Sequence, residues 1–297
     1  MIKKTKQPPQ TVTLMQPSAN SSELKYKKFL TDLIKNLEDQ IRKKVVPMFP
    51  KKRPVADGLS VKLDDFINDV QKQFEQIHKM NPAFGDVFVV GKDVLDKNDK
   101  DFVKQASKAI GVDVSANIPN FNEQLSDWAR ANALHIKTVT NNYLDTVEKT
   151  VIDGFRNGFS QRDVAKVISQ QTGTSINNAK RIARTEVNKL NSAYTNERYE
   201  HLGVQKAIWV TNIDGRERQC HKNLNGKEYD VKKGINVSRY CSGESGWIFP
   251  AGDSRGALSS AGLVINCRCR SKAVVDVSAL VQNSTGVKAD PPTKKKP

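Results

Sequence analysis

Ile208-Trp209-Val210-Thr211-Asn212-Ile213-Asp214-Gly215-Arg216-Glu217-Arg218-Gln219-Cys220-His221-Lys222-Asn223-Leu224-Asn225-Gly226 is the stretch that decides the fold. Ile208 to Val210 is β-branched and aromatic, and it runs into the turn-prone Asn212-Ile213-Asp214-Gly215, so it reads as a short strand and its exit. Asp214, Arg216 and Arg218 lie two apart and share a face if the chain stays extended. A carboxylate between two guanidiniums then forms an ion-pair network, because the planar Arg fork suits bidentate carboxylate. Asn225-Gly226 is a tight-turn dipeptide, and Lys227 to Val231 alternates as a second strand. Arg268 to Val275 returns as a third. The expectation is a small, loop-rich β subdomain with little apolar material of its own, a unit that needs a staple.

All four cysteines, Cys220, Cys241, Cys267 and Cys269, fall in this neighbourhood. Cys220, His221, Cys267 and Cys269 offer three thiolates and an imidazole to a tetrahedral structural zinc, with Cys241 in reserve. Cys-x-Cys is tighter than the usual knuckle spacing, and no Cys-x-x-Cys pair is present. Two alternatives stand beside zinc: free, buried thiols with His221 hydrogen-bonded to the turn, and a disulfide. Adjacent side chains point opposite ways in an extended chain, which disfavours Cys220 and His221 sharing one ion.

Working outward, Asn177 to Tyr199 reads as a helix, with Ala183, Val187, Leu190 and Tyr194 as its buried stripe. Arg184, Asn188 and Asn191 run beside that stripe as a polar one, and Arg184 and Glu186, catalytic in principle, are expected instead to lock the helix to the β subdomain by hydrogen bonds. Further upstream, Phe121 to Phe155 is the longest regular element, with apolar residues from Leu125 to Phe155 three or four apart. Ser160 to Asp163 is a candidate capping box for a short helix through Ile168. Two more helices are predicted at Leu24–Val46 and Val61–Met80, and another at Phe102–Ile110, whereas the apolar run Val87 to Val90 is too brief to assign.

The order of these pieces resembles the Mu F-like phage head morphogenesis family, minor head proteins of tailed bacteriophages. The resemblance is carried by Arg184-Thr185-Glu186 with Asn188, the strand with Trp209, and Asp214, Arg216, Arg218, His221 and Gly226 in the pattern D-x-R-x-R-x-x-H-x-x-L-x-G. Phe249-Pro250-x-Gly252-Asp253 and Asn266-Cys267-Arg268-Cys269 complete it. It covers roughly residues 175–275. Many members carry a Pro-rich loop with an additional His before N-C-R-C; here Ser259 to Ile265 occupies that place, so a metal site of those members has no matching histidine. The resemblance implies a non-enzymatic minor capsid component of the virion, assembled in the host cytoplasm and located in the capsid interior or at the portal vertex. Its implied partners are the portal protein, other capsid components and packaged DNA.

The fold class expected is therefore mainly α with a C-terminal α+β domain. Residues 1–22 read as a disordered polar arm, 23–170 as a helical region with a basic linker at 47–57, 175–277 as the Mu F-like domain of helix plus β-hairpin, and 278–297 as a basic tail. The chain of 297 residues carries a formal net charge of +16, and its pI is near 9.6 with a mean hydropathy of −0.57. Such a balance points to a polyanion, most simply double-stranded DNA bound without sequence preference. The first 54 residues hold thirteen Lys and Arg against four Asp and Glu. Lys27, Lys28, Lys35, Arg42, Lys43, Lys44, Lys51, Lys52 and Arg53 are the candidate phosphate contacts. No apolar run long enough for a membrane span occurs.

Two other functions compete. A metal-dependent nuclease or hydrolase centred on His221 and the Cys cluster would need acidic ligands, and Asp214, Glu217, Glu228 and Asp253 show no metal-ligand spacing. A DNA-binding regulator of host type lacks a helix-turn-helix or finger repeat.

Overall fold

The computed structural model describes residues 11–52, 63–79, 84–110, 113, 121–241 and 258–278. In chain order these form strand β1 (Thr11–Met15), helix α1 (Asn20–Lys44), a 3-10 turn (Val46–Met48), α2 (Leu63–His78), α3 (Phe84–Ile110), α4 (Asn122–Arg156) and α5 (Gln161–His201). The signature region follows as β2 (Lys206–Val210), α6 (Gln219–Leu224), β3 (Glu228–Asp230), β4 (Ile235–Asn236), α7 (Ser238–Cys241), β5 (Leu258–Ser259) and β6 (Arg270–Asp276). The fold is mainly α with a C-terminal α+β region.

By internal contacts the chain divides into two units, one of Met1–Ser21, Lys92–Asn122 and Val187–Pro297, the other of Ser22–Gly91 and Glu123–Glu186. This division interleaves where the sequence suggested successive blocks. In the first unit the sheet runs β1-β6-β2-β3 and every pair is antiparallel. Leu14 stands opposite Ala273, Ala207 opposite both Ala273 and Tyr229, and Trp209 opposite Ser271. Period-two alternation turns Val12, Leu14, Ala207, Trp209, Ala273 and Val275 inward, and all are buried. They meet Phe102 and Ala106 of α3 and Tyr199 of α5 in one apolar core with Cys220, Leu224, Cys267 and Cys269.

That core corrects two expectations. Part of the presumed disordered arm, Thr11–Met15, is the edge strand, and Gln16 extends its grip. Gln16 Oε1 accepts the Ser271 amide at 2.9 Å, and Gln16 Nε2 donates to Ser192 Oγ at 2.8 Å. The β region also does not lack apolar material, because it draws on β1 and on the end of α3.

The second unit is built from helical stripes. Phe66, Val70, Phe74 and Ile77 of α2 are buried, as are Leu30, Ile34, Leu37 and Ile41 of α1. The expected basic linker begins as a packed corner: Phe49 is buried with its ring 5.3 Å from Phe66, and Pro50 O accepts the Gln161 amide at 2.9 Å. Arg53 to Asp57 lie outside the described residues, as do residues 1–10 and 279–297.

Two helices are longer than their local signals. Val87 to Val90 and Phe102 to Ile110 belong to one helix, α3. Its Gly91 sits where a Cβ would collide with Leu125 and Trp128, so the missing side chain permits close helix contact. The short helix at Ser160 and the one at Asn177 are a single helix, α5, which passes through Gly173. Its start is the expected box: Ser160 Oγ and Asp163 Oδ2 are 2.7 Å apart, and the Ser160 amide donates to Asp163 at 3.0 Å.

Candidate functional site

The segment between β2 and α6 is where the signature residues gather. Residues 211–218 are not extended, as the two-residue spacing suggested, but bend back on themselves. Glu217 Oε2 accepts the Asp214 amide at 3.1 Å, and Asp214 Oδ1 accepts the Arg216 amide at 3.2 Å. Arg216 Nη2 reaches Asp214 Oδ2 at 2.9 Å. The second guanidinium on Asp214 is Arg268, which grips both carboxylate oxygens, one of them at 3.0 Å. Arg218 instead donates to Ile265 O at 3.0 Å. So the ion-pair network exists, but one of its two arginines comes from the middle of Asn266-Cys267-Arg268-Cys269. Desolvation opposes the charge on Asp214, yet the hydrogen bonds from Arg268 and Arg216 outweigh it and hold the carboxyl below its ordinary range.

This network fixes the loop that carries the cysteines. Asn266 adopts a left-handed conformation with φ of 58°, one that Asn tolerates better than most residues. The Cys267 amide donates to Val264 O at 3.0 Å, which closes the turn before the strand β6 begins. With Arg268 drawn outward to Asp214, Cys267 and Cys269 both turn inward. Cys269 N–H then lies 3.3 Å from Cys267 Sγ.

His221 arrives from α6. Its Nδ1 is 3.4 Å from Cys269 Sγ and 3.6 Å from Cys267 Sγ. Its ring packs edge-on to Trp209 at 5.9 Å, and its carbonyl accepts the Thr211 hydroxyl. All three side chains are buried. Cys220 is buried too, but it does not join them: its neighbour His221 carries the ligand atom, and α6 turns Cys220 into the apolar core. Of the four residues that the sequence offered as ligands in one of its three readings, His221, Cys267 and Cys269 are brought together. Cys241 ends α7, and its side chain lies outside the described ones.

The cluster is electrostatically polarised. Hydrogen bonding from Cys267 is the largest influence on Cys269 and favours its thiolate; burial opposes this, while His221 and Trp209 add to it, so its titration moves well down. Burial pushes the Cys267 thiol up, reinforced by its neighbour Cys269. Two thiols in one dry pocket cannot both ionise easily without a cation. A cavity of about 40 Å³ adjoins the cluster, lined by Asn212, Arg216, Glu217, Arg218, Asn266 and Arg268 as well as the three ligand-type residues.

Other signature residues lie elsewhere. Arg184 and Glu186 fall in the second unit. Arg184 Nε donates to Glu23 Oε1 of α1 at 3.0 Å, and Glu186 O accepts the Trp128 indole at 3.2 Å. Asn188 is buried on α5. Gly226 closes the β2–β3 turn with φ of 78° and donates its amide to Trp209 O at 2.8 Å. The acids of a hydrolase are committed to other partners: Glu217 to Lys222 at 3.1 Å and Glu228 to Lys206 at 2.6 Å. Among the described residues no carboxylate joins the cysteine cluster. Asp253 and the Phe249-Pro250 motif lie outside the described residues.

Sequence reasoning missed Arg268 as the partner of Asp214, and it missed Arg198 altogether. Arg198 is buried, ion-pairs with Asp99, and stands 5.0 Å above the Phe102 ring. Its burial lowers its pKa to about 10. The signal for Arg268 was its place between the two cysteines.

Residues 145–272, which contain this whole arrangement, match the family described as phage Mu protein F like protein. The matched segment is Mu F-like. The match begins about thirty residues before the span carried by the signature motifs, within α4, and so takes in the whole of α5. An uncharacterized protein of Haemophilus influenzae is 32% identical over 123 residues, which is 40% of this chain and 28% of that protein. A protein of Enterococcus faecalis named NAD(+)–arginine ADP-ribosyltransferase is 31% identical over 134 residues, 44% of this chain and 26% of that protein. The chain therefore aligns with little more than a quarter of the curated relatives it matches. No solved structure matches. Among the described residues, no helix is long and apolar enough to cross a membrane.

Proposed function

We propose that this protein is a head morphogenesis component of a tailed bacteriophage: a minor capsid protein that works by binding, at the portal vertex and beside packaged DNA, and catalyses no reaction. The observation that carries this reading is the Mu F-like segment at residues 145–272. The site geometry supports it. Asp214 is tied to two arginines, and its near neighbour Glu217 is bound to a lysine and a backbone amide. They act as struts for the cysteine loop. The transferase activity in the name of the Enterococcus faecalis relative belongs to a protein of which 26% is matched here, and it is not part of this proposal.

The DNA contact is electrostatic in this reading. Along α1, Lys28 pairs with Asp32 and Lys43 with Asp39, each four residues away, while Lys27 and Arg42 reach Glu23 and Glu38. Lys35, Lys51 and Lys52 are exposed and are the strongest candidates for phosphate. Exposed pairs within one helix hold weakly, at about 0.3–0.5 kcal/mol, and can yield to phosphate. Affinity for duplex DNA should fall steeply with salt, and replacing Lys35, Lys51 and Lys52 by Glu should flatten that slope. The decisive test is mass spectrometry of purified procapsids and virions. The protein is expected in both particles, and its absence from both would overturn the proposal.

A further inference from the structure

We propose that His221 Nδ1, Cys267 Sγ and Cys269 Sγ hold one zinc(II) ion, with a fourth coordination position open to the adjoining cavity for water or a small anion. The three ligand-type atoms all lie within 4.8 Å of one another. Zinc bonds of about 2.0–2.1 Å to nitrogen and 2.3 Å to sulfur, set at tetrahedral angles, place nitrogen and sulfur about 3.6 Å apart. The observed separations are 3.4 and 3.6 Å. A hydrogen bond to imidazole spans a similar distance, so the lengths alone do not separate the two. The convergence does. Nδ1 carries either one proton or one lone pair and serves one sulfur at a time. Here it faces two sulfurs nearly equally, as the ligands of a single tetrahedral centre must.

The surroundings also suit a thiolate-bound cation. The Cys269 amide donates toward Cys267 Sγ, a bond that stabilises a metal-bound sulfur. His221 is braced by the Trp209 ring and through its carbonyl by Thr211, which fixes the imidazole direction. Two soft sulfurs and one imidazole select zinc over magnesium or calcium. The adjoining cavity of about 40 Å³ has room for water, and it is lined by Arg216, Arg218, Arg268 and Asn266 together with Glu217, whose carboxylate is paired with Lys222. Three guanidiniums against one carboxylate leave the lining net positive, which favours an anionic or neutral fourth ligand over a cationic one.

The test uses the full chain purified without a polyhistidine tag. Elemental analysis should give about one zinc per chain. After chelation and cobalt(II) addition, the spectrum should show thiolate-to-metal charge transfer together with the intense visible bands of four-coordinate cobalt. Added thiocyanate should shift those bands, because one position is exchangeable. His221→Ala and the Cys267→Ser/Cys269→Ser pair should lose the metal, while Cys220→Ala should keep it. If the ligand variants fail to fold, the cobalt spectrum of the unaltered chain decides. A folded chain that takes up neither zinc nor cobalt would overturn the proposal. So would a folded Cys220→Ala variant that loses its metal, or a cobalt spectrum indifferent to thiocyanate.

Discussion

The helical unit and the sheet-bearing unit each build their own core, and they do so by different means. In the helical unit each element brings its own apolar stripe: Phe66, Val70, Phe74 and Ile77 on α2, Leu125, Ile136, Tyr143 and Val147 on α4. In the sheet-bearing unit no single segment suffices. Val12 and Leu14, Phe102 and Ala106, and Trp209, Ala273 and Val275 come from three separated parts of the chain and close one core. The contrast teaches that a recognisable chemical motif can sit in a unit that its own neighbourhood does not complete.

The largest effect that probes this contrast is expected at Trp209, which is completely buried beneath the cluster. Trp209→Ala should cost about 3–5 kcal/mol. Denaturation followed by near-UV dichroism reads it, and a loss below about 1 kcal/mol would show that the sheet core is not shared in the way described. A smaller effect is expected at the start of α5. Ser160→Ala removes the cap that closes with Asp163 and should cost about 1 kcal/mol, while Ser160→Asn or Ser160→Asp should largely restore it. Equal losses in all three variants would remove the cap from the account.

The smallest effect is a pH dependence in the helical unit. Desolvation opposes the Glu23 charge, but hydrogen bonds from Lys27 and Arg184 outweigh it and lower its pKa from 4.5. A carboxyl with a depressed folded value contributes stability that is fully present above its unfolded value. That stability is lost as pH falls through the folded one. Stability should therefore be flat near neutrality with respect to Glu23 and decline below about pH 4.5. Glu23→Gln should reduce that decline; an unaltered acid limb would place the linkage elsewhere.

The sequence disclosed the helical unit well because its information is local and periodic. It disclosed β2, β3, β6 and the convergence of His221 on Cys267 and Cys269 for a related reason: turns and chemistry-bearing side chains are dense there. Three features stayed hidden for physical causes. Thr11-Val12-Thr13-Leu14-Met15 does alternate, but the partner strand that makes the alternation meaningful begins more than two hundred and fifty residues later. The continuity of α3 through Gly91 and of α5 through Gly173 has no local signal: Gly91 permits a close helix contact, and a side chain at Gly173 would meet nothing nearby. The partner of Asp214 lies 54 residues away at Arg268, beyond any spacing rule. Cys220 and His221 lie on a helix and not on the extended segment from which their side-chain directions were argued.

The central structural claim, that the signature sheet is closed by the chain's own beginning, is tested most directly by hydrogen exchange on a variant lacking residues 1–18. The β6 amides from Arg270 to Asp276 and the Cys267–Cys269 loop should lose protection, while the α4 amides of the helical unit keep theirs. Unchanged protection along β6 in the shortened chain would contradict it.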